Sequence, residues 1–563
     1  MLATLITFII VFVVCFGYGS LLSYILHFRM GIPLTLFCGL AGINLLALTL
    51  SLFLPMNEYS LIYISIPAIL YLCLKKQIML DLYKKTTENR FVIIFSLPFL
   101  YFGFLLVQEP PLNYDTNMYH FQAILWNDVY PAVPGLANIR GQLGFNNSIL
   151  VLHSLFSLKR FFGQHLFVLN YFIYCIGAIY FIKRIYETCK TQKGSTWILW
   201  ANAFLLIGFV SRVYEISSPT PDFGANAILM VLLAYCINNH DEKLQWIPVC
   251  LIAVYIVTIK LSMLPILILF GFGVFQLFKN REIKAIRNVV LFSAILMSIW
   301  CTRNVILTGW LVYPVHLVDL FDYDWKVSMA RIMSENDTIK GWARYPDFAV
   351  DIKTSANMRF REWFPYWWGR ATLGRYYLLS AIVSTVIFII WIFKGKANYS
   401  NTLFWTGICT VSAFIFWFVM APDFRFCIGY IFMLMALPLF LFSNLKLKLM
   451  QNINAHKYPV VAVLFVFLSY SAITKWEIVN NNVFPSFISG RWKLPKTLDY
   501  VGRQPMDSFF ERDYVFYYPK YSLQNNDTRC YDQCIPCLPF RDTALVLRGK
   551  TLSSGFRRND NLE

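Results

Sequence analysis

Fourteen apolar runs, separated by short polar connections, constrain this chain more than any other feature. They cover residues 1–27, 31–54, 59–74, 91–107, 164–182, 196–210, 224–238, 246–259, 262–278, 288–307, 377–393, 402–420, 427–444 and 458–474. A helix crosses a bilayer with roughly 17–25 apolar residues, and most of these runs meet or approach that length. They hold no Asp or Glu, and Arg303 is their one guanidinium. Backbone immersed in lipid must satisfy its own hydrogen bonds. The expected fold class is therefore an all-α polytopic membrane protein with about 14 transmembrane helices, or 12–14 allowing for the shorter runs. The stretch 145–162 is too short and too interrupted to cross, and is expected to form a re-entrant or interfacial helix. The first run lacks a basic leader and a small-residue cleavage site, so it is expected to be retained as a span.

Composition agrees. The chain is 58% hydrophobic and 14% charged, where soluble domains carry roughly 25% charged residues. Its net charge of +18 fits a bilayer surface or phosphate-bearing lipids better than nucleic acid.

Lysine and arginine set the expected orientation. With the N-terminus outside, the inward connections are 28–30, 75–90, 183–195, 239–245, 279–287, 394–401 and 445–457, which together hold 20 Lys/Arg. The short outward connections 55–58, 211–223 and 421–426 hold none, one and one. Basic residues concentrate on the cytoplasmic side of membrane proteins. The chemically loaded segments then share the outer face, which is the periplasm in a Gram-negative cell. The chain divides into N-terminal spans (1–107), a first large outer loop with interfacial helices (108–163), a central bundle (164–307), a second outer loop (308–376), C-terminal spans (377–474) and a small α+β outer tail (475–563) with strand-like YVFYY (514–518) and ALVLRG (544–549).

The outer loop opens with Pro110-Pro111, which bars helix directly after the fourth run. From Thr116 to Tyr130, Met118, Phe121, Leu125 and Val129 recur at helical spacing, predicting a helix lying on the membrane surface. Asp115 stands at its mouth, either as an N-cap or as a general base. His120 reads as an interfacial hydrogen-bonder or a second acid/base group. Trp126 and Tyr130 fit an aromatic belt better than a sugar platform. Asp222, in SPTPDFG, is another N-cap or a second carboxylate, which with Asp115 could activate an acceptor or hold a divalent metal ion. Lys260, Arg303 and Arg425 are expected either to snorkel to the interface or to form a pocket for a lipid-linked phosphate; Asp423 and Arg425 also suit a local ion pair. Ten cysteines lie in or beside the apolar runs. Cys530, Cys534 and Cys537 cluster in the tail, where one disulfide plus a free thiol is favoured over a metal site lacking its fourth ligand.

The missing carboxylates within the runs argue against an ion-coupled transporter. The absence of a Gly-rich phosphate loop, HExxH and GxSxG argues against a P-loop ATPase, a zincin and a serine hydrolase.

The many spans, the acidic first outer loop followed by a helix, and the outer tail resemble the GT-C integral-membrane glycosyltransferases. More narrowly, YDTNMYHFQAILW, VPGLANIRGQLGFNNS, KLS, RNVILTGWLVYP, APDFRF and the C-x6-C tail ending LRG…GFR resemble an uncharacterised family of bacterial multi-spanning proteins. Here a single Asp115 follows the fourth run, where the superfamily places paired acidic residues after its first span. The resemblance implies transfer of a sugar from a polyprenyl-phosphate donor to an envelope lipid or polysaccharide, at the periplasmic face of the bacterial inner membrane. With that activity, the residues expected to carry catalysis are Asp115, Asp222 and His120 and those expected to bind the donor phosphate are Lys260, Arg303 and Arg425, while the resemblance itself favours the Cys530–Cys537 disulfide. An O-antigen-type polymerase or ligase and a lipid-linked oligosaccharide flippase are the alternatives. A flippase needs a hydrated cationic lumen, which the uncharged runs do not offer.

Overall fold

A computed structural model describes residues 1–111, 113–191, 195–239, 244–345, 350–394, 400–444, 453–475, 505–522 and 527–559. Each of the fourteen apolar runs is helical there: Leu2–Ile25, Ile32–Leu50, Glu58–Leu74, Arg90–Leu106, Leu169–Thr191, Thr196–Val210, Pro221–Asn238, Trp246–Ile259, Leu267–Lys279, Ile283–Thr308, Thr372–Lys394, Asn401–Met420, Ile428–Leu441 and Ile453–Thr474. Among the described residues, nine helices are long and apolar enough to cross a membrane, or ten if the bent pair Glu58–Leu74 and Lys76–Glu88 counts as one. Arg90–Leu106, Trp246–Ile259 and Ile428–Leu441 are shorter apolar helices. The protein is thus an all-α polytopic membrane protein.

Depth in the bundle sorts these helices. All fourteen residues of Trp246–Ile259 are buried, so this short helix is wrapped by protein rather than by lipid. Pro221–Asn238 is nearly as enclosed, whereas Thr372–Lys394 and Ile453–Thr474 are mostly open at the rim. Small residues permit the closest crossing. A Cβ on Gly19 would fall 1.9 Å from the Thr35 carbonyl oxygen, and one on Gly39 would fall 1.9 Å from that of Cys15. The first two helices therefore meet backbone to backbone, as glycine allows in apolar helix pairs.

The connections are more structured than the sequence suggests. The expected loop at 75–90 contains the helix Lys76–Glu88. The expected outer loop 308–376 contains Met329–Arg344, Ile352–Asn357 and Phe360–Arg370. The stretch 145–162 supplies Ser148–Leu155, buried throughout. The helix expected on the membrane surface starts as a π-turn, Thr116–His120, and continues as Phe121–Val129. It is not a one-sided amphipath. Phe121, Gln122, Ile124, Leu125, Trp126, Asn127 and Asp128 are all buried, while Val129 of the predicted stripe is exposed.

The tail covers one face of it, and Ser148–Leu155 packs on another. The tail's described part forms two antiparallel hairpins: Met506–Glu511 with Tyr514–Pro519, and Leu545–Leu547 with Phe556–Arg558. Phe516, Leu538, Leu547 and Phe556 bury against Tyr119, Trp126, Val133 and Leu143 of the segment 108–163. Backbone bonds seal the seam, with Tyr531 N–H donating to Asn117 (2.8 Å) and Phe556 N–H to Pro134 (2.9 Å). Cys530 and Cys537 form a disulfide, and Cys534 is a free thiol. Residues 476–504 of the tail lie outside the described residues, as do Lys193, Lys243, Lys396, Lys446 and Lys448 of the expected inward connections.

Candidate functional site

The turn after Asn401–Met420 carries Asp423 and Arg425, and aromatic residues hold it. Trp367, on the helix Phe360–Arg370, donates its indole N–H to the Pro422 carbonyl at 2.8 Å; Trp417 does the same to Asp423 at 2.6 Å. Buried Asn226 then fixes the following residues. Its amide donates to the Arg425 carbonyl at 3.0 Å and accepts from Gly429 N–H at 2.8 Å. The dense aromatic stretch WFPYWWGR thus acts as a brace for this turn.

So positioned, the Arg425 guanidinium donates to Asp423 at 3.0 Å and to Asp115 at 2.9 Å. Burial works against its charge, yet the Asp423 and Asp115 carboxylates outweigh it and raise its affinity for the proton. The Arg425 side chain is still 38% exposed. Asp115 occupies the cap position of the π-turn but makes no capping bond. Asn113 accepts from Thr116 N–H instead, at 3.3 Å. Of the two uses the sequence allows for Asp115, the structure contains no capping bond, and its carboxylate faces Arg425.

A second pair adjoins the first. Asp222 sits in the first turn of Pro221–Asn238 and is ion-paired with Lys260. The Lys260 ammonium also lies 4.0 Å from the centre of the Phe426 ring, next in sequence to Arg425. Burial, aided by Arg425, pushes its pKa down to about 7, while Asp423, Asp115 and Glu215 pull the other way. Glu215, paired with Arg212, adds a further buried carboxylate.

His120 is 1% exposed, and its Nδ1 lies 2.9 Å from the Thr116 hydroxyl. Burial first, then the charges of Lys260 and Arg425 together with His153, hold its pKa well below the ordinary imidazole range. It stands behind the charged groups as a neutral ring.

Arg303 belongs elsewhere, which corrects the expectation that it shares a phosphate pocket with Lys260 and Arg425. It is 4% exposed and donates to the Ser51 hydroxyl at 2.8 Å and the Asn127 amide oxygen at 2.5 Å. Asn127 is twelve residues along the helix from Asp115, roughly 18 Å at 1.5 Å per residue. Asp115 and Asp222 are each paired with a different cation, Arg425 and Lys260. Among the described residues no three His, Cys, Asp or Glu side chains form a set of metal ligands.

Sequence reading passed over Asn226, Trp367, Trp417 and Glu215. Asn226 had a local signal, four residues after Asp222 on one helix face. The tryptophans had only their crowding.

A family model described as a domain of unknown function (DUF8201) matches residues 1–432. The chain belongs to this family. No curated protein and no solved structure matches it. The DUF8201 region takes in Asp115, Asp222, Lys260, Asp423 and Arg425, and it ends before the disulfide-bearing tail that packs on the segment 108–163.

Proposed function

We propose that this protein is a membrane glycosyltransferase of GT-C type. It moves a sugar from a polyprenyl-phosphate-linked donor to an envelope lipid or polysaccharide acceptor at the periplasmic face of a bacterial inner membrane. All fourteen apolar helices cross, the short Trp246–Ile259 and Ile428–Leu441 within the shelter of their neighbours, and the loop-rich end faces outward in accord with the lysine and arginine distribution.

One observation carries the reading: a carboxylate, Asp115, held 2.9 Å from a partly exposed guanidinium, Arg425, with a second cation, Lys260, beside it. Sugar transfer from a lipid phosphate needs these two chemistries close together. Asp115 takes the proton of the acceptor hydroxyl as its oxygen bonds to the anomeric carbon. The bond from that carbon to the phosphate oxygen breaks, and the electron pair leaves with the phosphate. Arg425 and Lys260 meet the charge that develops there. Asp423 keeps Arg425 oriented while Asp115 is engaged with the acceptor, and Asp222 orients Lys260. Arg303 has no step.

Asp115→Asn preserves shape and removes the base. In detergent with a lipid extract, transfer of labelled sugar from polyprenyl-phosphate should fall by about 10²–10⁴-fold. Equal rates in variant and wild type would remove Asp115 as the base. Lipid scrambling in liposomes without transfer from any donor would replace the enzyme reading with a flippase.

A further inference from the structure

The helix Lys76–Glu88 lies far from the charged cluster. Glu58–Leu74, just before it, begins at the loop-rich end, where Asn57 caps it and donates to the Asp128 carbonyl at 3.0 Å. Arg90–Leu106, just after it, ends at that same end, where Gln108 accepts from Thr4 at 3.3 Å and Asp115 soon follows. The helix between them must therefore sit at the opposite end of the bundle. It turns by 82° from the helix that precedes it. Only Lys75 and Asn89 separate it from its neighbours, so it cannot leave the plane in which they end.

Among the described residues nothing covers its outer side, and none of its residues is buried. Ile78 and Leu82, four apart, lean on the bundle. Met79, Leu80 and Tyr83 stay exposed, as does Leu74. On a helical wheel these three extend the apolar arc begun by Ile78 and Leu82, interrupted by Thr86, Lys76 and Thr87, while Gln77, Asp81, Lys84, Lys85 and Glu88 occupy the rest. Residues 75–90 hold five basic side chains (Lys75, Lys76, Lys84, Lys85 and Arg90) against Asp81 and Glu88, a net charge of +3. An apolar arc flanked by lysines, on a helix tethered flat between two spans, suits the boundary between acyl chains and headgroups.

We infer that Lys76–Glu88 is a docking surface for anionic phospholipid headgroups, with Met79, Leu80 and Tyr83 in the outer acyl region and the lysines on the phosphates. Charge complementarity and the tether select the bilayer over a soluble partner. The inference rests on the proposal that both flanking helices cross the membrane.

Hydrogen–deuterium exchange on the full chain tests it, in nanodiscs of phosphatidylcholine alone and of phosphatidylcholine mixed with phosphatidylglycerol. Exchange of 76–88 should slow by about tenfold in the anionic discs. High salt should abolish that difference, as should Lys75→Gln, Lys76→Gln, Lys84→Gln and Lys85→Gln combined. The corresponding Lys→Arg variant should retain it. Equal exchange of the wild type in both bilayers, fast or slow, overturns the inference, and so does a difference that survives the Gln variant. Exchange of 58–74 and 90–106 reports separately on whether those helices are spans, because their protection should not depend on lipid charge.

Discussion

Arg425 and Arg303 carry the same charge and answer it in opposite ways. Arg425 is partly exposed and faced by two carboxylates. Arg303 is buried and held by a hydroxyl and an amide, with no carboxylate partner among the described residues. A guanidinium whose counter-ions reach solvent can exchange one of them for an incoming phosphate at modest cost. A buried guanidinium gripped by neutral dipoles has given up its water and has no path to a ligand. The first arrangement suits a site; the second suits a joint, here between Ile32–Leu50, Phe121–Val129 and Ile283–Thr308.

Arg425→Ala breaks the comparison hardest on its functional side. Removing the cation that meets the leaving phosphate should lower sugar transfer by about 10³-fold, roughly 4 kcal/mol of transition-state stabilisation. Stability should move by only about 1 kcal/mol, since the pair is open to solvent. Transfer assays and thermal unfolding of the same purified sample check both halves. A large drop in melting temperature with transfer per folded molecule intact would make Arg425 a joint like Arg303.

Arg303→Ala should show the reverse. Ser51 and Asn127 would be left buried without their donor, costing about 3 kcal/mol of stability. Transfer per folded molecule should stay near wild type. Arg303→Lys can refill only part of the fork, so its melting temperature should fall between the two. If Arg303→Ala instead unfolds no more easily and loses transfer, the correction made to its role is wrong.

Why the sequence placed both arginines in one pocket is instructive. Hydropathy reports depth along a helix, and Arg303 does lie near the loop-rich end of its own. It does not report azimuth, and the face a residue presents is decided by partners such as Ser51, 252 positions away. The helices themselves were legible because long uncharged runs leave the backbone no alternative in lipid. Even there, the all-buried Trp246–Ile259 could not be told from a lipid-facing helix, because both read as continuous apolar sequence. Asp115 was legible as an unusual carboxylate at a helix mouth. Its partner Arg425 lies 310 residues away, and no local spacing connects them. The tail's cover over Phe121–Val129 was hidden for the same reason: an apolar stripe looks alike whether lipid or a hairpin buries it.

Glu335 extends the contrast to a buried acid and sharpens it with pH. Like Arg303, which donates to two neutral acceptors, it is bonded to a neutral side chain, here as the acceptor. The Gln142 amide reaches both carboxylate oxygens, at 2.9 and 3.2 Å. Burial raises its pKa from 4.5 to about 7, against the opposing pull of Gln142, Arg140 and Arg331. Between those two values the folded protein binds the proton that the unfolded chain releases. Its contribution to stability is therefore complete below pH 4.5 and is lost as pH rises through about 7, on the order of 3 kcal/mol over that window. Glu335→Gln keeps the shape and cannot ionise. The variant's melting temperature should change less between pH 4.5 and 7 than that of the wild type, and above pH 7 the variant should be the more stable protein. Parallel curves for the two would mean that Arg140 and Arg331 keep Glu335 charged, which would move it from the company of Arg303 to that of Arg425.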